Sequence, residues 1–227
     1  MKRILFLALA VASTLTMSAK KIIKTVHVTP DKATIYLNGS EVGNGTYDIV
    51  FPKNAEFVML KFECPGYLTK QVKLMRDNPK TTISYRLRED EAILNSVGAG
   101  EGVDMANKWM QVTCKKGLTE EKVWRRLMSV AVDNFENIEV RDKAAGWIKT
   151  AWKEVAFESG QTVRTRLEVR IVIGTDDDEL SYKIRVSSEI KEDPDCYGEQ
   201  CYAKYSRVLR KFYDVLTDMQ NSLGSNN

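Results

Sequence analysis

Two hydrophobic periods divide the chain, and the change from one to the other limits the fold more than any single motif. From residue 22 to residue 88 apolar side chains recur at every second position: Val26/Val28, Ala33/Ile35/Leu37, Val58/Leu60/Phe62/Cys64, Val72/Leu74 and Ile83/Tyr85/Leu87. Successive side chains of a strand point to opposite faces, so each set marks the buried face of a short strand. The breaks hold turn residues: Pro30-Asp31, Asn38-Gly39, Gly43-Asn44-Gly45, Pro52-Lys53-Asn54, Pro65-Gly66 and Asp77-Asn78-Pro79. Asn38-Gly39 tolerates the positive φ that a tight hairpin needs. About six strands with no helical stretch predict a small all-β sandwich over 20–88.

From Thr119 the period becomes helical. Thr119 is a suitable N-cap, and Val123, Trp124, Leu127, Met128, Ala131 and Phe135 line one side of the helix. Strands are expected at 138–142, 146–152, 162–173 and 180–190. A final helix is expected from about Lys204 to Leu223, with a stripe of Tyr205, Val208, Leu209, Phe212, Leu216, Met219 and Leu223. Helix, four-stranded antiparallel sheet and helix make an α+β layer domain over 107–227, the helices covering one face of the sheet. Between the two domains, Glu89-Asp90-Glu91 and the glycine-rich run at 98–102 read as a linker over 89–106. Trp109-Met110-Gln111-Val112 reads either as a strand or as an extension lying against either half.

The first nineteen residues read as an address. Lys2 and Arg3 precede an apolar run from Ile4 to Val11, and small residues lead to Ala19 before Lys20-Lys21. That is the order of a secretory signal cleaved near Ala19. The run is too short to span a bilayer, which takes about 20 apolar residues, and no transmembrane insertion is expected. Cys64 is the first cysteine, so no lipid-anchor cysteine follows the cleavage point. A periplasmic or secreted protein is expected. Lys2 and Arg3 leave with the signal, so 34 basic residues against 31 acidic become 32 against 31. Near neutrality argues against a nucleic-acid binder.

In an oxidising compartment four cysteines can form two disulfides. Cys196 and Cys201 flank a loop that Gly198 lets turn, and a local bridge between them is expected. Cys64 and Cys114 either pair or remain buried thiols. Zinc is not expected, because there is no CxxC pair and His27 has no ligand at suitable spacing. His27 is the one histidine, so a Ser-His-Asp or Cys-His system could form only around it, and GxSxG is absent. No enzyme activity and no cofactor is expected. A glycan-directed hydrolase using two carboxylates needs no local motif and stays as an alternative. A small-ligand carrier, with its ligand between sheet and final helix, is another.

Alternation also assigns faces in the second domain. Ile138, Val140, Ile148, Trp152, Leu167, Val169, Ile171, Tyr182, Ile184 and Val186 should face the helices. The opposite face then carries Arg141, Trp147, Lys149, Lys153, Arg164, Arg166, Arg170, Lys183 and Arg185, with Glu139, Glu168 and Glu189 among them. A one-residue slip of register would invert this set. A solvated face with cross-strand ion pairs accounts for it, and so does a binding face for an anionic partner. Arginine can grip a carboxylate or phosphate with two hydrogen bonds, and Trp147 offers stacking area. The partner would be an envelope protein, an acidic glycan or a lipid headgroup. Asp176-Asp177-Asp178-Glu179 lacks the ligand spacing of a calcium loop and reads as a charged hairpin tip.

Two resemblances add to this reading. Val28-Thr29-Pro30, Ala33-Thr34-Ile35-Tyr36-Leu37-Asn38-Gly39, Val42-Gly43 and Cys64-Pro65-Gly66-Tyr67 resemble PEGA-type domains. That resemblance implies an extracytoplasmic accessory or surface-binding β-sandwich, not a catalytic one. Glu139-Val140-Arg141-Asp142 followed by Gly146-Trp147-Ile148-Lys149-Thr150-Ala151-Trp152 is similar to the BamC-type α+β domains of exported bacterial envelope proteins. It implies a scaffold or adaptor at the cell envelope.

Overall fold

A computed structural model of the chain describes residues 21–98, 105–173 and 180–225. The leader expected over 1–19, most of the glycine-rich run at 98–102 and the acidic stretch Asp176-Asp177-Asp178-Glu179 lie outside the described residues. Strand predominates over helix. The chain forms two compact units. One ends at Cys64 and resumes over Thr69–Leu87; the other joins Pro65–Leu68 to the chain from Arg88 onward.

The first unit holds seven strands: β1 (Ile23–Thr29), β2 (Thr34–Leu37), β3 (Ser40–Asn44), β4 (Thr46–Val50), β5 (Phe57–Glu63), β6 (Lys70–Met75) and β7 (Thr82–Arg86). They form two sheets, ordered β4-β1-β7 and β3-β2-β5-β6. Only the β1–β7 pair is parallel. The period-two positions supply the core: Val26, Val28, Ile49 and Ile83 from one sheet and Ile35, Leu60, Phe62 and Leu74 from the other are all buried. The Phe62 and Tyr85 rings, one from each sheet, lie 5.0 Å apart. Gly45 has φ +65°, and a Cβ there would sit 2.4 Å from the Asp31 carbonyl oxygen. His27 is an exposed strand residue whose Nδ1 lies 2.8 Å from the Thr46 hydroxyl.

The second unit contains α1 (Glu91–Leu94), β8 (Ser96–Gly98), β9 (Met110–Thr113), α2 (Glu120–Phe135), β10 (Ile138–Asp142), β11 (Trp147–Thr150) and β12 (Lys153–Ala156). It continues with β13 (Thr162–Ile173), β14 (Leu180–Lys191), β15 (Ala203–Lys204), β16 (Arg207–Leu209) and α3 (Arg210–Leu223). The expected four-stranded sheet has seven strands. Its order is β10-β11-β13-β14-β15, with β12 also on β13 and β9 also on β14. The two extra partners exist because β13 and β14 pair over twelve residues each, long enough to carry two short neighbours in series. Trp109-Met110-Gln111-Val112, unassigned from sequence, is largely the edge strand β9.

Three boundaries differ from expectation. Residues 89–98 are not a linker. Ala92 and Val97 are buried with the second unit, and β8 pairs with β16. The Glu91 carboxylate accepts the Ser159 N–H at 2.6 Å, so the acidic turn is anchored rather than solvated. Met105 and Ala106 also pack on this core. The final helix starts at Arg210, not Lys204, because Val208 and Leu209 are buried as strand residues opposite β8. The Cys196–Cys201 disulfide forms as expected, while Cys64 and Cys114 are free and buried.

Helix α2 begins at Thr119, whose hydroxyl accepts the Lys122 N–H. It packs on β11 and β13, and α3 packs on α2, where the Phe135 and Phe212 rings stack at 4.8 Å. One continuous core joins Leu127, Phe135, Ile148, Leu167, Ile184 and Met219. Burying these apolar side chains contributes roughly 1.5–3 kcal/mol each before the cost of ordering them. It also fixes which face of β13 and β14 looks away from the helices.

Candidate anion-binding face

Pairing across the sheet lays out the second face row by row. Opposite residues share a face, and rows two residues apart are about 6.8 Å apart along a strand. Trp147 lies opposite Arg170 and Arg170 opposite Lys183; Lys183 lies opposite Gln111. In the next row Lys149 lies opposite Glu168 and Glu168 opposite Arg185. Arg166 faces Ser187, and Arg164 stands between Glu154 and Glu189. Val163, Leu167, Val169, Ile184 and Val186 alternate with these residues and are buried on the other side. Seven of the nine basic and tryptophan residues expected on this face are therefore brought together: Trp147, Lys149, Arg164, Arg166, Arg170, Lys183 and Arg185.

Arg141 and Lys153 are the exceptions. The β10–β11 register shifts between Ile138 and Val140, and after the shift Arg141 lies opposite Ile148. An irregularity of this kind reverses the facing of everything beyond it. Arg141 joins the side chains of α2 around a surface depression that also includes Glu121 and Trp124. Val140 moves the other way, opposite Lys149, and Glu139 pairs with the Lys149 ammonium at 2.6 Å.

A second irregularity acts on Trp152. Ile148 pairs with Val169 and Lys153 with Thr165, so five residues on one strand step past four on the other. The extra residue turns Trp152 away from the helices, contrary to the alternation, and onto the basic face. Lys153 turns inward, where its ammonium reaches the Asn134 carbonyl and the Glu136 carboxylate.

Aromatic rings interleave with the cations. The Arg164 and Arg166 guanidinium groups lie 4.5 and 4.3 Å from the centre of the Trp152 ring. Arg170 lies 4.4 Å from Trp147, and Arg185 lies 4.6 Å from Trp109. Stacking of this kind contributes about 0.5–2 kcal/mol each and holds guanidinium planes in place. Three of the chain's four tryptophans serve this face.

The two ends of the face differ in charge. At one end Arg164 is 7% exposed, with Tyr202 at 3.8 Å on its plane, and it is fully paired. It donates to Glu189 at 2.7 Å and to both oxygens of Glu199 at 3.0 and 2.6 Å. Burial disfavours its charge, but the hydrogen bonds to Glu199 and Glu189 outweigh that and raise its pKa. Removal from water, with a hydrogen bond to Glu154, pushes the Tyr202 phenol up to about 12. Tyr202 and Glu199 were not singled out from sequence; Glu199 lies within the Cys196–Cys201 loop and Tyr202 directly follows it, so the bridge was the available signal.

The other end holds an open hollow of about 580 Å³ bordered by Trp109, Gln111, Glu168, Arg170, Lys183 and Arg185. Glu168 is buried and receives both of its hydrogen bonds at 2.8 Å from one nitrogen, Nη2 of Arg185; Arg166 approaches it at 3.6 Å. Arg170 and Lys183 are exposed cross-strand neighbours, and among the described residues neither has an acidic partner. Like charges directly opposite on adjacent strands are unfavourable. The Nε atoms of Arg166 and Arg185 and the Trp147 indole N–H are buried without a hydrogen-bond partner. The hollow thus places Arg170 and Lys183, without acidic partners among the described residues, beside the Arg185–Glu168 pair.

No family model matches the chain. No curated protein matches it either. Among solved structures, one similar chain is a protein of unknown function, with a suggested membrane association, from Bacteroides fragilis NCTC 9343. It is 11% identical, with a TM-score of 0.28, and the match covers 75% of this chain and 96% of that one. Likeness at that level assigns neither fold nor role.

Proposed function

We propose that this is a non-catalytic, extracytoplasmic binding or adaptor protein of the cell envelope, and that the outer face of the second unit's sheet holds an anionic partner. The observation that carries this reading is the Arg170–Lys183 pair. Two exposed cations sit side by side, neither ion-paired with an acid among the described residues, at the edge of a hollow that Arg185 and Glu168 also border. A sheet that only needed solubility would alternate signs across strands, as the Lys149–Glu139 pair does. The hollow's size lies within the roughly 300–1,000 Å³ common for ligand sites. The Cys196–Cys201 disulfide favours an oxidising compartment, and among the described residues no helix is long and apolar enough to cross a membrane.

The test is affinity electrophoresis through gels carrying, in turn, a carboxylated, a sulfated and a phosphorylated polymer. The protein should be retarded by at least one of them, less so at higher salt, and an Arg170→Ser/Lys183→Ser double variant should migrate freely. Free migration of the unaltered protein in all three gels would sink the proposal.

A further inference from the structure

We infer that the hollow recognises an acidic glycan, specifically a sugar unit bearing a carboxylate, rather than a phosphate-rich or sulfate-rich polyanion. This rests on the anion-binding reading above and narrows it to a ligand class. The reason is Glu168. A surface built for dense negative charge would not keep an ionisable carboxylate at its centre, because each added anion would meet it at close range. Glu168 is buried in the middle of the row, held by Arg185 and approached by Arg166, and it borders the hollow. A carboxylate accepts hydrogen bonds and can take them from hydroxyls of a ligand. Ionised phosphate and sulfate groups offer no such donors of their own; a uronic acid offers hydroxyls and a carboxylate on one ring.

The rest of the hollow divides along the same lines. Arg170 and Lys183 supply the unpaired cations for the ligand's carboxylate, and arginine's planar fork matches that group with two parallel hydrogen bonds. Gln111, opposite Lys183, adds an amide that both donates and accepts. Trp109 is 40% exposed at the rim, although Arg185 lies over its ring, and it offers indole surface to the C–H face of a pyranose. Cation, carboxylate, amide and indole within one hollow give a charged sugar a partner for each part of its surface. A bilayer or an acidic helix would use the cations and leave Glu168 opposed.

The experiment is calorimetric titration of the full protein with oligosaccharides of glucuronate, galacturonate, mannuronate and guluronate. The methyl esters of the same oligosaccharides, inorganic polyphosphate and phosphatidylglycerol vesicles serve as comparisons. At least one uronate should bind saturably, its methyl ester at least tenfold more weakly, and polyphosphate and vesicles more weakly still. Glu168→Gln should weaken the uronate at least tenfold without weakening polyphosphate. Trp109→Ala, at an exposed position outside the core, should repeat that selective loss. Binding of polyphosphate or vesicles without any uronate would overturn the glycan assignment and leave the anionic face standing. Binding of none of the probes would overturn both. Equal loss of uronate and polyphosphate in the two variants would overturn the sugar-specific roles of Glu168 and Trp109.

Discussion

Arg164 and Glu199 meet in a two-point hydrogen bond, with the arginine 7% and the glutamate 82% exposed. An exposed loop carboxylate therefore completes the pairing of a nearly buried strand cation. The guanidinium lies between the rings of Trp152 and Tyr202, and the Cys196–Cys201 bridge closes the loop that presents Glu199 and Tyr202. Arg164→Ala should therefore destabilise the second unit by about 2 kcal/mol, between the limits for exposed and fully buried pairs. Arg164→Lys should recover only part of that loss, because an ammonium cannot make the bidentate contact or stack between two rings. Urea unfolding followed by tryptophan fluorescence measures both.

The same contact sets a pH dependence. The hydrogen bond from Arg164 holds the Glu199 carboxyl below the ordinary glutamate value of 4.5. A depressed folded-state pKa gives stability that is fully present above the unfolded value and lost as pH falls through the folded one. The loop should stay docked at neutral pH and begin to lose this contribution only below about 4.5. Glu199→Gln should abolish that part of the acid dependence while leaving the disulfide intact. Proton NMR of the Trp152 indole between pH 7 and pH 2.5 would show it. An unchanged acid transition in the variant would assign the dependence to other groups.

Much of this arrangement was legible in the residues, and the failures have one cause. Strict alternation along β13 and β14 placed Arg164, Arg166, Arg170, Lys183 and Arg185 on one face, because twelve paired residues leave no room for a slip. It misplaced Val140, Arg141, Trp152 and Lys153, all of which lie at or just beyond an irregular step in pairing. A bulge adds a residue without any compositional mark, so period-two counting carries the wrong parity past it. The supposed linker misled differently. Acidic and glycine-rich composition suggested solvation, but Asp90 caps α1 and Glu91 holds the Ser159 N–H. Tyr202 and Glu199 could not be placed at all, since their contacts with Arg164 span 35 residues of sequence or more and depend on how the bridged loop folds back.

Lys183 offers a test in which stability and binding should move in opposite directions. It lies directly opposite Arg170, and neither cation has an acidic partner among the described residues. Lys183→Glu replaces repulsion with attraction and should raise stability by about 0.5–1 kcal/mol. It should also remove the uncompensated charge on which anion binding is proposed to depend. Sites retained at a cost in stability are commonly functional ones. Thermal unfolding and probe titration on the same preparation would check the pair of outcomes. A variant that binds as well as the parent would count against the face.

The cysteines give a count that depends on the fold. Cys64 and Cys114 are buried free thiols, and burial pushes the Cys114 thiol up to about 11, so little thiolate is present at neutral pH. Thiolate is the reactive form, and reaction also requires access. The folded protein should react with a thiol reagent slowly or not at all. Denaturation without reductant should expose two thiols, and denaturation with reductant should expose four. Mass spectrometry of the alkylated protein reads each number, and a count of zero after denaturation alone would mean that Cys64 and Cys114 are paired.

The last test concerns the first unit, where one turn brings two backbones too close for any side chain. Gly45 has φ +65°, donates its N–H to the Ala33 carbonyl, and would place a Cβ 2.4 Å from the Asp31 carbonyl oxygen. Left-handed backbone alone costs an L residue about 1–2 kcal/mol. The clash adds to that, because its partner is backbone and cannot swing aside as a side-chain tip would. Moving the turn would also disturb Val28, whose N–H bonds to the Gly45 carbonyl at 2.7 Å. Gly45→Ala should therefore destabilise the sandwich by about 2–4 kcal/mol. Gly39→Ala, at φ +89° with no atom within 4 Å of the added Cβ, should lose only the conformational part, about 1–2 kcal/mol. Hydrogen exchange at the Val26 and Val28 amides measures this unit separately. Equal losses in the two variants would show that the turn at Gly45 can relax away from Asp31.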